Sequence, residues 1–222
     1  MWFATFNGLS RYDGKNFHTY HSKPGDTTSL SNNRIEYIKE DKDGYIWGIT
    51  LDDNVHRIDP YTHVVLDLFS QILKQEVPIE DYLITSNGDL WLWGNKGCVY
   101  LRYSANRKDL IAEYFTSRQF LPNNAIHFIH EDRTGKIWIG TEEGLVQIDN
   151  SASDMRLVNN YLDGQSIISH YEDGNYLLFG TRRSGLKCFD QAAGSFMHFP
   201  EINEQLKTNP IYCIQTIDST RI

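Results

Sequence analysis

Apolar and polar residues alternate along this chain in short runs, and the runs return in the same order at a nearly fixed spacing. The stretch HEDRTGKIWIGTEEGLVQID, residues 130–149, shows the unit. Ahead of and into it, AIHFIHE alternates with period two, which predicts a half-buried first strand. DRTG then reads as a turn in which the Asp132 carboxylate bonds its own backbone and Gly135 takes a positive φ. KIWIGT is the second strand, EEG a tight turn and LVQID the third strand. The fourth strand is weak in this copy and plain in NFHTY (residues 16–20) and SFMHF (residues 195–199). Helical periodicity is lacking, and the one helix-like stretch, LFSQILKQ at residues 68–75, reads as a connector.

The unit recurs as WFATFNGLSRYD at the start, KEDKDGYIWGITLDDNVHRID, ITSNGDLWLWGNKGCVYL and HYEDGNYLLFGTRRSGLKCFD. With Trp2, Trp47, Trp91, Trp138 and Leu178 as one position, the steps are 45, 44, 47 and 40 residues. Four short strands per period of roughly 44 residues predict an all-β chain, a β-propeller of about five four-stranded repeats. The expected divisions are a partial blade at 1–20, blades at 31–67, 77–115, 121–160 and 164–199, and the first strand of a further blade at 209–217. Tail and head are in phase: DSTRI followed by WFAT rebuilds the unit seen in DRTGKIWIGT. Two readings follow, a five-bladed ring closed by its terminal strands or a slice of a longer array, and the start at a strand's core residue favours the slice.

Composition narrows this picture. Aromatic residues at 13% and sixteen Gly suit twisted sheets joined by tight turns, while six Pro and no low-complexity tract argue against disorder. A net charge of −8 repels phosphate backbones, so nucleic acid is not an expected partner. Cys98, Cys188 and Cys213 fall at strand positions of different copies, as small core hydrophobes, and their odd number gives no disulfide framework. No apolar run approaches the ~18 residues of a membrane span, and the start has no signal-peptide pattern.

The pattern ED-x-x-G-x-I-W-I-G-T-x-x-G-L-x-x-I-D, carried by Glu131, Asp132, Gly135, Trp138, Gly140, Thr141, Gly144, Leu145 and Asp149, resembles the propeller repeat of bacterial two-component regulators. Glu40, Asp41, Gly44, Trp47 and Thr50 repeat it in the second copy. Departures are Asp53 for the second-turn Gly, Trp93 for the Gly ahead of the Thr position, and Leu178 for Trp. The resemblance implies a piece of a larger seven-bladed ring in the periplasmic sensor region of a hybrid histidine kinase, detecting glycan breakdown products and signalling to transcription. It implies an oligosaccharide ligand, acidic ones included, self-association through the parent sensor, and membrane attachment only through parts of the parent outside this chain. No kinase element is present, so the segment is expected to be non-catalytic, with no cofactor. The alternative is an interaction or dimerisation propeller whose ligand binds elsewhere.

Catalytic and metal patterns are weak. Asp41, Asp132 and Asp173 sit beside turn glycines and read as turn acceptors; DKDG lacks the further ligands of a calcium loop, so no metal site is expected. No Gly-x-Ser-x-Gly elbow or His-Glu-x-x-His helix occurs. Ligand candidates come from blade geometry, in which the loop entering the first strand and the turn between the second and third share a face. They are Asn32, Asn33 and Arg34; Asn123, Asn124 and His127; Asn95 and Lys96; Glu142 and Glu143; and Arg182 and Arg183, with Trp93 as a sugar platform. Asn amides bridge hydroxyls, and Arg holds uronate or sulfate in bidentate fashion.

Overall fold

The computed structural model describes residues 1–73, 79–104, 109–149, 156–206 and 208–215. Its strands form five antiparallel sheets, each wound in sequence order. Sheet 1 holds β1 (Trp2–Thr5), β2 (Gly8–Tyr12) and β3 (Phe17–Tyr20), and sheet 2 holds β4 (Ile35–Glu40), β5 (Ile46–Thr50), β6 (Val55–Ile58) and β7 (Val65–Asp67). The four-residue helix α1 (Leu68–Gln71) follows, its first turn capped where Ser70 N–H donates to the Asp67 carboxylate. Sheet 3 holds β8 (Asp81–Ile84), β9 (Leu90–Gly94), β10 (Gly97–Tyr103) and β11 (Leu110–Phe115). Sheet 4 holds β12 (Ile126–Glu131), β13 (Lys136–Thr141), β14 (Gly144–Asp149) and β15 (Arg156–Tyr161). Sheet 5 holds β16 (Ile167–Asp173), β17 (Tyr176–Thr181), β18 (Leu186–Asp190) and β19 (Ser195–Met197), followed by α2 (Pro200–Leu206).

Two compact units divide the chain. The first is Met1–Pro78 with Ile84–Leu90 and Leu101–Glu113; the second is Ile79–Leu83, Trp91–Tyr100 and Tyr114–Ile222. In the first unit, Leu9, Leu30, Ile35, Ile46 and Ile58 form the core. In the second, the period-two alternation of sheet 4 sends its two faces into two cores. Ile137, Ile139, Val146 and Ile148 pack with Trp91, Trp93 and Tyr100, whereas Trp138 and Leu145 pack with Phe128, Leu177, Phe179 and Phe189. Each fully buried aliphatic or aromatic side chain of this kind contributes roughly 1.5–3 kcal/mol.

The recurring Asp explains the first turn. Asp132 accepts from the backbone N–H groups of Thr134 (2.8 Å) and Lys136 (3.1 Å) and, through its second oxygen, from Trp138 Nε1 (2.7 Å). Asp41 does the same for Asp43, Tyr45 and Trp47 Nε1. One carboxylate therefore closes the hairpin and anchors the buried indole six residues on. In sheet 3, Thr85 stands six residues ahead of Trp91, and Trp91 Nε1 is buried without a partner. In sheet 5 the hairpin shortens to a two-residue loop between the paired Asp173 and Tyr176, with Gly174 at φ +56° and Leu178 in the Trp position. Asp53, standing where other copies carry Gly, takes φ +56°, a conformation that Asp tolerates better than most residues.

Several elements depart from the sequence reading. The helix α2 covers PEINEQL, where no helix was expected, although Pro200 at the start and Glu201 in the first turn are helix-opening residues. Residues 209–215, expected as strand, carry none; Ile211 N–H donates to the Thr181 carbonyl (3.1 Å) and its own carbonyl accepts from Ser169 Oγ. Residues 216–222, with the rest of that expected strand and the DSTRI tail, lie outside the described residues, as do residues 74–75 of the helix-like stretch. Cys98 and Cys188 are buried as expected, but Cys213 is exposed because its segment joins no sheet.

Candidate functional site

A common backbone frame brings the entering loop of sheets 2, 4 and 5 to the second hairpin turn of the same sheet. The residue after the strand-end Thr donates to the carbonyl just ahead of the first strand: Leu51 to Arg34, Glu142 to Ala125 and Arg182 to Ser166, each at 3.0 Å. The threonines themselves, Thr50, Thr141 and Thr181, are fully buried. Thr141 Oγ1 and Thr181 Oγ1 donate to the carbonyls of Gly144 (2.9 Å) and Gly185 (2.7 Å), which fixes the turns. Side chains at positions 142 and 182 are thus held over the loops at 125 and 166.

The first strands of sheets 2, 4 and 5 each bulge after their first residue, at Glu36, His127 and Ile168. A bulge re-aims the side chain it carries. His127 is turned onto Glu142, with Nε2 to Oε2 at 2.8 Å. The same carboxylate oxygen accepts from Arg182 (3.1 Å) and Ser166 Oγ (2.9 Å), and Arg182 Nε donates to Ser166 Oγ (3.3 Å). Residues of two consecutive repeats therefore converge on one carboxylate, all within the second unit. His127 is 25% exposed, Glu142 40% and Arg182 38%, so the cluster is open to solvent. Partial burial raises the Glu142 carboxyl, but the bonds from His127, Arg182 and Ser166 outweigh it and leave the pKa below its usual 4.5.

The remaining candidates fall into four groups. Asn95, Lys96, Glu143 and Arg183 are exposed; among the described residues their side chains make no hydrogen bond or ion pair. The four asparagines of the entering loops are used internally, through their amide oxygens. Asn32 and Asn123 accept from Arg34 N–H (2.9 Å) and Ala125 N–H (2.8 Å), while Asn33 and Asn124 accept from Ser22 N–H (2.7 Å) and Ser117 N–H (2.6 Å). The carbonyls of Asn33 and Asn124 also take the N–H of Gly8 (2.6 Å) and Gly97 (2.8 Å), so the double-Asn loop stitches one repeat to the preceding one. Arg34, in the first unit, pairs loosely with Glu36 (3.4 Å) and lies over the Phe6 ring (5.1 Å). Trp93 is a correction: it is 3% exposed and packed in the core with Ile129 and Ile139, so its ring offers no sugar platform.

Ser166 was missed by sequence reasoning. Its signal was its repeat position, the residue before the first strand, where Arg34 and Ala125 stand in other copies. In the first unit, Ser31, His56 and Asp67 have the composition of an acyl-transfer triad, with Ser31 Oγ 3.0 Å from His56 Nε2. His56 is fully buried, its Nδ1 has no partner, and Ser31 Oγ is shared with Asp52 (3.0 Å). The orienting bond to a carboxylate that such a base needs is missing. Burial holds the His56 pKa down, with Asp67 and Asp52 acting in the other direction. Among the described residues no three His, Cys, Asp or Glu side chains are placed to hold a metal ion, and no helix is long and apolar enough to cross a membrane.

Successive four-stranded antiparallel meanders joined by this frame define the β-propeller fold. Residues 121–143, from the entering loop of sheet 4 to its second turn, match the family model of the two-component regulator propeller. No curated protein sequence matches the chain significantly. The extracellular domain of a hybrid two-component system from B. thetaiotaomicron is similar at 22% identity and a TM-score of 0.56, over 96% of this chain and 29% of that one. PorZ, a surface component of the type-IX secretion system of Porphyromonas gingivalis, is similar at 18% identity and a TM-score of 0.61, over 96% of this chain and 34% of that one. A protein assigned as a 6-phosphogluconolactonase from Bacteroides uniformis is similar at 13% identity and a TM-score of 0.53, over 94% and 67%. The chain thus spans about a third of the length of the first two, and these likenesses establish the propeller fold.

Proposed function

We propose that this chain is a ligand-sensing, extracytoplasmic propeller segment of a two-component regulator, and that its second unit binds an acidic saccharide at the rim formed by His127, Glu142, Ser166 and Arg182. The carrying observation is the convergence of three side chains, His127, Ser166 and Arg182, from two consecutive repeats, on the solvent-open Glu142 carboxylate. Glu142 and Ser166 hold the Arg182 guanidinium in place, which lowers the conformational cost of using its remaining N–H donors on a uronate or sulfate. The exposed Arg183 adds a second cation next in sequence. The family match over residues 121–143, which includes His127 and Glu142, and the fold shared with the extracellular domain of a hybrid two-component system support the sensor role. In such a role, a ligand that binds one arrangement of the parent sensor better than another shifts its population and so the downstream signal, a glycan breakdown product being the proposed stimulus.

The test is isothermal titration of the chain with galacturonate, glucuronate and sulfated oligosaccharides, before and after replacing Arg182 and Arg183 together by Ala. Binding weakened by about tenfold or more, roughly 1.4 kcal/mol, is the expected result. Unchanged affinity would overturn the rim assignment. A second reading, an interaction module, is favoured by Phe3, Phe6 and Phe17 of the three-stranded sheet, which are 39%, 80% and 64% exposed. Self-association that persists in the Arg182/Arg183 variant, with no saccharide bound by either protein, would establish that reading instead.

A further inference from the structure

Sheets 2 to 5 each hold four strands, and sheet 1 holds three. The open place lies beside β1, on the side where the other sheets carry their first strand. Met1 and Tyr12 exchange backbone bonds (3.0 and 2.8 Å), so by antiparallel alternation Phe3 and Thr5 also face β2, while the N–H and C=O groups of Trp2 and Ala4 point to the other edge. No strand among the described residues pairs with that edge. A groove of about 350 Å³ opens at it within the first unit, with Ala4, Thr5 and Phe6 on one side and Arg34, Ile35 and Tyr37 on the other. Sheets 4 and 5 show what belongs in such a place: their first strands lie side by side, with the Phe128 and His170 rings 4.4 Å apart.

Two apolar faces are bare as well. Phe3 and Phe17 share one face of sheet 1 and are 39% and 64% exposed. The repeat position of Phe3 is that of Ile139, through which sheet 4 packs on Trp91 and Trp93 of the sheet before it. In sheet 5, Leu178 lies opposite Cys188 and Cys188 opposite Met197, so Tyr176, Leu178 and Met197 share a face; Tyr176 and Met197 are 43% and 41% exposed. Leu178 stands at the position of Trp138, through which sheet 4 packs on the sheet after it. A free segment accompanies this second face. NPIYCIQ, residues 209–215, repeats the pattern of NAIHFIH, residues 124–130, which enters and forms the first strand of sheet 4, yet it joins no sheet. The Ile211 backbone ties it to sheet 5, and Tyr212 and Cys213 beyond are exposed.

We infer that the chain associates head to tail by strand addition, residues 211–215 of a second copy entering the groove as the first strand of sheet 1. The repeat fixes the register. In sheet 4, Ile126, Phe128, Ile129 and His130 lie opposite Thr141, Gly140, Ile139 and Trp138. At the matching positions Ile211 falls opposite Thr5, Cys213 opposite Ala4, Ile214 opposite Phe3 and Gln215 opposite Trp2. A slip of one residue would turn Ile214 away from Phe3, so the apolar pattern holds this register. The face of Leu178 and Met197 in the second copy then meets that of Phe3 and Phe17. A second copy is the occupant because one surface of the chain lacks a first strand and its neighbouring sheet, and another surface carries both unused. Donor and acceptor differ, so the contact is heterologous. It goes beyond the rim reading and shares no residue with it, so either can fail without the other.

The experiment joins sedimentation velocity of the full chain with oxidative cross-linking. The unaltered chain should associate as its concentration rises to about 200 µM. Ala4→Cys should form a disulfide with Cys213 of another copy, because antiparallel partners have Cα atoms ~4.5–5.5 Å apart, within disulfide range; Cys98 and Cys188 are buried, and adding Cys213→Ser should abolish the cross-link. Ala4→Pro removes an N–H from the open edge and spares the bonds to β2, whereas Ile214→Asp sets a charge opposite Phe3. Each of these two variants should stay monomeric alone, and mixing them should give a one-to-one dimer, since one keeps the donor and the other the acceptor. A chain that is monomeric up to about 200 µM, a disulfide that closes within one chain, or blocked variants that do not pair on mixing would each overturn the proposal. Should melting curves show either blocked variant unfolded, the Ala4→Cys cross-link decides, Ala4 being exposed.

Discussion

Replacing Asp132 by Ala removes the acceptor on which the first turn of sheet 4 and its buried indole both depend. Asp132 is 4% exposed and Trp138 fully buried, so water cannot replace the Trp138 Nε1 bond of 2.7 Å. The orphaned indole N–H costs about 1–3 kcal/mol, and the loss of the bonds to Thr134 and Lys136 N–H adds roughly 1 kcal/mol, as for a helix cap. The expected loss is therefore about 3 kcal/mol, a large share of the ~5–15 kcal/mol that holds a typical domain together. For a chain of 222 residues this corresponds to a fall in Tm of roughly 6–12 °C. Circular dichroism melts measure it. The internal control is Trp91, whose Nε1 is already unpartnered because Thr85 stands where the Asp would be. Trp→Phe removes similar ring volume at either site, but only at Trp138 does it strip a charge-assisted bond, so Trp138→Phe should cost about 2 kcal/mol more than Trp91→Phe. Equal costs, or a fall of less than about 3 °C in Asp132→Ala, would refute the assignment of that bond as the anchor.

Three further outcomes are expected. His170, between the rings of Phe128 (4.4 Å) and His130 (4.6 Å), has its pKa pushed down from 6.5 to about 4, first by burial and then by His130, against the pull of Glu172. Because its folded pKa is the lower one, the unfolded chain takes the proton first: the contribution is complete above pH 6.5 and is lost as pH falls toward 4, and His170→Phe should flatten the Tm–pH curve in that window. Glu142, with its pKa lowered, behaves as a carboxylate should, holding the rim bonds above pH 4.5 and losing them below, so Arg182→Ala should perturb the His127 ring signals in NMR at pH 7 far more than at pH 3. Gly97→Ala should be severe, since φ is +108° and a Cβ would sit 2.3 Å from the Phe115 carbonyl, whereas Gly135→Ala, at φ +84° with nothing within 4 Å, should cost about 1 kcal/mol in a urea melt.

What the sequence determined by itself was local and periodic. Alternation of period two fixes which residues of a strand share a face, and the recurring Asp, Gly, Trp and Thr place the turns, so repeat length, strand order and the buried Trp47, Trp91 and Trp138 follow from letters alone. The frame also made His127, Glu142 and Arg182 legible, because position within a repeat dictates which end of a sheet a residue occupies. Tertiary structure decided what lies next to what. Trp93 looked like a free platform, but its neighbours, known only once sheets pack, bury it. The double-Asn loops looked like free ligand contacts, but the amide oxygens of Asn33 and Asn124 are taken by Ser22 and Ser117 N–H from the preceding repeat. The rim cluster arises from residues far apart in sequence, Glu142 with Ser166 and Arg182, whose proximity no pattern of single positions encodes. A period tells each strand which way to face; only packing of one sheet on the next satisfies, buries or leaves open the groups that the period presents.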